Sequence, residues 1–242
     1  MLLQILTYTH HLTTMLFGIF LSAFFLGVKQ NKKNVCILLG GGAVSGLFFL
    51  ICNTVFGSLF TEAVYPIFVH LPLFLLLVFY YRFRWLPSII SIMTAYLCCQ
   101  FSNWAGIFAL SLSGLEWVYY LVRIIVTVAV FAFLSRYLCQ TTALLLAKSD
   151  RELYILGAMP FVYYVFDYST TKFSMLLYSG NKVVVEFLAF AMCISYVIFL
   201  FVYFQEYELK NRAEQYGQLT NMQLNSLHSE IEPVSYTHLR AH

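Results

Sequence analysis

The amino-acid sequence predicts an all-α protein: a polytopic bundle of about seven transmembrane helices followed by a cytoplasmic signalling helix. Three observations carry this expectation. Hydrophobic residues make up 61% of the chain and charged residues only 10%, against roughly a quarter charged in an ordinary soluble domain. Apolar runs recur between short charged or Gly/Ser-rich breaks, and each bilayer crossing takes about 20 such residues. Beyond Phe204 the composition turns abruptly polar. The net charge of +3 is sided between loops, and no basic patch interleaved with aromatics occurs. Membrane lipid rather than nucleic acid is therefore the expected surroundings.

The predicted spans, in order, are Ile5–Val28, Val35–Phe56, Glu62–Tyr81, Trp85–Gly106, Trp117–Leu138, Leu153–Lys172 and Val183–Phe204. The first positive charge, Lys29, follows the first run instead of preceding it, the reverse of a secretory leader, so this run is expected to remain as a helix. Gly40, Gly41 and Gly42 in the second span have no Lys-Ser/Thr after them and read as a close-packing face, not a phosphate loop. In the third, Pro66 and Pro72 predict a kink, since each lacks an amide donor and crowds the preceding turn. Trp85, Trp117, Tyr119 and Tyr120 fall where spans enter the interface. All six cysteines lie within or beside apolar runs, with no CxxC pair, and read as small hydrophobes.

Charge alternates between the breaks. Lys29, Lys32, Lys33, Arg82, Arg84, Arg136, Lys148 and Arg151 fall on one side, and Lys172 and Lys182 on the other. Positive loops face the cytoplasm, which places the N-terminus outside and the segment after Phe204 inside.

That segment, from Gln205 to Glu232, is rich in helix formers and carries an apolar stripe at Leu209, Ala213, Tyr216, Thr220, Leu224, Leu227 and Ile231. Spacings of 4, 3, 4, 4, 3 and 4 make it a coiled-coil seam with an eleven-residue step. Pro233 is expected to stop the helix at Glu232. Residues 233–242, ending VSYTHLRAH, resemble translated adapter sequence, so the expected organisation is a sensor domain over 1–204, a signalling helix over 205–232 and a non-native tail. The native chain is expected to continue past Glu232.

Ionisable residues inside a membrane are costly and mark function. Arg123 lies about 9 Å into the fifth span from its outer start, and Asp167 about 8 Å from the outer end of the sixth, at 1.5 Å per residue. Their matched depth suggests an intramembrane pair or part of a ligand pocket. His70, between the two prolines, is a further candidate contact; His10 and His11 read as interfacial. There is no HExxH, GxSxG or Gly-rich phosphate loop. No catalytic residue and no metal ligand is assigned. His228 has Pro233 five residues on, as in a phosphoacceptor box, but Ser229 stands where that box has its acid, and His228 is not assigned that role.

The arrangement of residues 1–232 resembles bacterial sensor histidine kinases with a GHKL-type ATPase domain, near the accessory-gene-regulator peptide receptors. The most specific stretch is the linker running from Arg212-Ala-Glu-Gln215 through Met222-Gln223 to Glu230-Ile231. The resemblance implies a multi-pass protein of a bacterial cell membrane, a homodimer, an extracellular ligand such as a peptide, and a response regulator as the downstream partner. ATP and Mg would serve the missing kinase domain; no cofactor is expected in residues 1–232. The rival readings are a small transporter or permease and a membrane-embedded enzyme. The seam after Phe204 argues against a transporter, which has little use for a dimerising helix in line with its last span.

Overall fold

A computed structural model describes residues 1–57, 60–61, 64–169 and 182–239. The protein is all-helical, about 90% helix, with no strand among the described residues. The chain divides into two units, Met1–Leu200 and Phe201–His242.

The described part of every predicted span is helical, the fourth over two helices. α1 (Leu2–Phe25) closes with Gly27 at φ +85°, where the amides of Gly27 and Val28 reach back to the carbonyls of Phe24 and Ala23. This wrap needs a left-handed residue, which glycine supplies without Cβ strain. α2 (Lys32–Phe56) starts at Asn31, whose side chain accepts from the Asn34 amide at 2.8 Å. α3 (Pro66–Tyr80) is irregular: π turns at Pro66–His70 and Leu76–Tyr80 flank one α turn at Leu71–Leu75. α4 (Trp85–Cys98) and α5 (Gln100–Ser113) follow with only Cys99 between them, and α6 (Glu116–Tyr137) begins just beyond Gly114. α7 (Cys139–Leu146) is short, α8 (Asp150–Tyr168) contains Pro160, and α9 runs from Lys182 to Leu239.

Among the described residues, four helical stretches are long and apolar enough to cross a membrane: Lys32–Phe56, Trp85–Ser113, Glu116–Tyr137 and Glu186–Leu227. Seven was the expectation. α1 is long enough but interrupted by Gln4, four threonines and two histidines, α8 carries four charged residues, and α3 is too short. Some boundaries also move. The fourth run extends past Gly106 to Ser113, and the sixth starts at Asp150; its predicted end at Lys172, like the predicted start of the third at Glu62, lies outside the described residues.

The expected stop at Pro233 is not observed: α9 continues to Leu239. Proline weakens a helix interior by about 3 kcal/mol without forbidding it, and extending a long existing helix carries no new nucleation cost.

In the first unit α1 is central, packed by α2, α4, α6 and α7, while α4 also receives α8 and α5 packs along α6. Phe17, Phe20 and Phe24 of α1 meet Phe131 of α6 with ring centroids 6.2–6.5 Å apart. The glycine face of α2 is partly used. A Cβ on Gly42 would lie 3.1 Å from Cδ1 of Ile19 on α1 and one on Gly41 3.5 Å from Cδ2 of Leu76, whereas Gly40 faces open space. Away from these contacts α2 turns Val44, Leu47, Ile51 and Val55 outward.

Polar contacts group the helix ends at two levels. At one, Tyr81 reaches Asn34, and Arg84 pairs with Asp150 while donating to the Lys148 carbonyl at 3.0 Å. At the other, His10 lies beside Tyr119 and Tyr120, and Asn103 holds Glu186. Within the first unit, α8 and α9 are tied through a vacancy in the helix ladder. Pro160 has no amide to offer the Leu156 carbonyl one turn back, and the Tyr196 hydroxyl of α9 donates to that carbonyl at 3.0 Å. Tyr196 and Leu156 are both about 1% exposed, so without this bond a buried carbonyl would lack a donor.

Candidate functional site

The polar side chains of the first unit converge on a cavity of about 830 Å³. Arg123, Asp167 and His70, the three candidates from the sequence, all line it. Each takes a tyrosine as partner instead of one another.

Arg123 of α6 donates from Nη1 to the Tyr119 hydroxyl and places its guanidinium 5.2 Å from the centre of that ring. Its stem crosses α5 at Gly106, where any Cβ would collide with the Arg123 Cγ and Cδ. The Nε of Arg123 is buried with no acceptor among the described residues, and no carboxylate of the described residues forms an ion pair with it. The anticipated direct bond to Asp167 is therefore not formed. Matched depth fixes only one coordinate of a side chain; which way each helix turns its face decides the rest.

Asp167 of α8 accepts from the Tyr96 hydroxyl at 2.5 Å. His70 of α3 shares a hydrogen bond with Tyr164 at 2.9 Å between Nδ1 and the hydroxyl, and its ring meets Tyr65 and Tyr96 edge-on. The Tyr96 and Tyr164 rings lie 4.9 Å apart. The π turn at Pro66–His70 thus delivers His70 to a cluster shared by α3, α4 and α8.

His10 is 4% exposed, its Nδ1 3.3 Å from the Thr14 hydroxyl and its ring 5.7 Å from Tyr120. His11, the next residue, is exposed but still borders the cavity. One residue turns a helix face by about 100°, so adjacent histidines cannot share an environment.

Sequence reasoning missed Glu186. It is 2% exposed, borders the cavity and accepts from the Asn103 amide of α5. Asn103 also donates to Gln100 at 3.2 Å. Next to it Trp104 stacks on Phe190 at 4.5 Å, which clamps the start of α9 to α5. The signal was present: Glu186 is the single acid between Lys182 and Gln205, and the cost of charge in the bilayer that singles out Arg123 applies to it equally. Its nearness to the end of the run conceals that.

No group of three or more His, Cys, Asp or Glu side chains able to hold a metal occurs among the described residues. The six cysteines are free thiols, four of them buried.

In the second unit, Leu209, Tyr216, Leu224 and Leu227 of the seam are 54–71% exposed in the single chain, and Ala213 and Thr220 are exposed beside them. The side chains of His228 and Ile231 lie outside the described residues. Compared with known proteins, the chain matches no family model, no curated protein and no solved structure.

Proposed function

We propose that the protein is a multi-pass membrane sensor, the membrane part of a two-component histidine kinase, which takes a ligand in the cavity and passes the change along α9. The composition of α9 supports this reading. One unbroken helix carries Glu186 on the cavity wall and, beyond the apolar stretch, a stripe from Leu209 to Leu227 that is uncovered in the single chain. A carrier also needs a polar cavity, but a stripe of this spacing is buried only by a second helix. In this reading the chain forms a homodimer, the Lys/Arg-rich loops face the cytoplasm, and ligand binding shifts the populations of two seam arrangements. Seven spans carry the N-terminus to the outer face. The kinase assignment itself rests on the sequence resemblance, which brings Mg-ATP and a response regulator as partners of a downstream module.

The test is disulfide trapping in native membranes, with the full chain in a Cys-free background. Single cysteines at Leu209, Ala213, Tyr216, Leu224 and Leu227 should cross-link between copies, while cysteines at Asn211 and Gln218, on the opposite face, should not. Glu186→Gln should change which seam positions trap best. A pattern indifferent to Glu186→Gln, together with solute uptake by proteoliposomes, would replace the sensor with a carrier.

A further inference from the structure

Resting on the reading of the cavity as a ligand site, we infer that its occupant is an amphiphile with one negative charge: an acidic headgroup on the Arg123 guanidinium and a hydrocarbon tail along the wall between α1 and α2. Arginine stays charged at any physiological pH and offers five N–H donors in a planar fork that matches carboxylate and phosphate oxygens. Here one nitrogen is used by the Tyr119 hydroxyl, and Nε is buried without an acceptor among the described residues. The carboxylates that share the cavity are held from other helices, Asp167 by Tyr96 of α4 and Glu186 by Asn103 of α5.

The position of the guanidinium is built, because α5 leaves room for its stem only by having glycine at Gly106. A half-buried cation whose Nε is buried without an acceptor among the described residues calls for an anion. The volume, about 830 Å³, far exceeds a bare inorganic ion and falls in the range of roughly 300–1,000 Å³ usual for organic ligands. The cavity is also lined by Leu12, Met15 and Ile19 of α1 and by Gly46, Phe49 and Leu50 of α2, apolar surface suited to methylenes. A doubly charged headgroup would meet Asp167 and Glu186 in the same space, so a single charge fits best. A diffusible fatty carboxylate and an acidic membrane lipid share this chemistry.

The experiment uses the full chain purified in detergent, with decanoate as the probe and decanol and decyltrimethylammonium as its neutral and cationic counterparts. Binding is read by calorimetry and by photolabelling with a diazirine-bearing decanoate. Decanoate should bind about tenfold or more tighter than either counterpart, the usual scale of a charge-assisted hydrogen bond. Arg123→Gln should remove that preference, Arg123→Lys should restore part of it, and the label should map to α1 and α2. The comparison of the three probes on the unaltered protein needs no variant, so misfolding of Arg123→Gln leaves the test intact.

Repeating decanoate binding in nanodiscs of phosphatidylcholine with and without phosphatidylglycerol identifies the source. Competition by phosphatidylglycerol assigns the site to a membrane lipid, and its absence assigns it to a diffusible carboxylate; both agree with the proposal. Equal binding of decanol and decanoate, or Arg123→Gln binding as tightly as the parent, would overturn it. If no probe binds while Glu186→Gln still alters the seam cross-links, the ligand class is wrong and the sensor reading survives.

Discussion

At the scale of single residues, the polar groups of the bundle owe their settings to neighbours remote in sequence. Arg123 and Asp167 are legible as costly charges, but their partners Tyr119 and Tyr96 are not, because 18 tyrosines offer no means of choosing between them. Proline 160 shows the same limit. Its missing amide can be read from the sequence, whereas the donor that replaces it, the Tyr196 hydroxyl, can be found only in space. Removing that hydroxyl by Tyr196→Phe leaves a buried carbonyl unsatisfied and should cost about 1–3 kcal/mol. Pro160→Ala restores an amide one turn along, so the same tyrosine change should cost less in that background, with a coupling of roughly 0.5–3 kcal/mol. Unfolding of the purified chain by SDS titration measures the cycle, and strict additivity would show that the bond carries no weight.

Among the elements, the described part of every apolar run is helical, the form in which a run near 20 residues satisfies its backbone hydrogen bonds within itself. The distortions of α3 were also foreseeable, as Pro66 and Pro72 act locally. Contacts between elements were not foreseeable, because helix faces meet in registers that no local rule sets. Gly157 of α8 is an instance: a Cβ there would lie 2.7 Å from Cγ1 of Ile90 on α4. Gly157→Ala should therefore push α4 and α8 apart and destabilise the bundle by about 1–3 kcal/mol, the usual scale of overpacking. In an Ile90→Ala background, which removes the colliding atoms, the same change should be close to neutral. SDS unfolding midpoints of the four variants decide; a cost that persists without Ile90 would point to backbone strain in place of a steric clash.

For the whole molecule, the proposed topology follows from charge. Cysteines placed near Gly57 and Gly114 should react with impermeant maleimide on intact cells, and those near Asn31 and Ser149 only after permeabilisation. Reversal at any two of the four would refute the seven-span arrangement. The grouping of helix ends by Tyr81 with Asn34 and by Arg84 with Asp150 puts the Asn31 and Ser149 sites at one level, so these two should always label together. The bond between Tyr196 and the Leu156 carbonyl has a use at this scale as well. Because the carbonyl takes its donor from another helix, its stretching frequency reports whether α9 keeps its place against α8. A ¹³C label at Leu156 isolates that vibration in the infrared spectrum, and a ligand that slides α9 by even part of a turn would displace the band, giving an optical gauge of the proposed signalling that touches neither the cavity nor the seam.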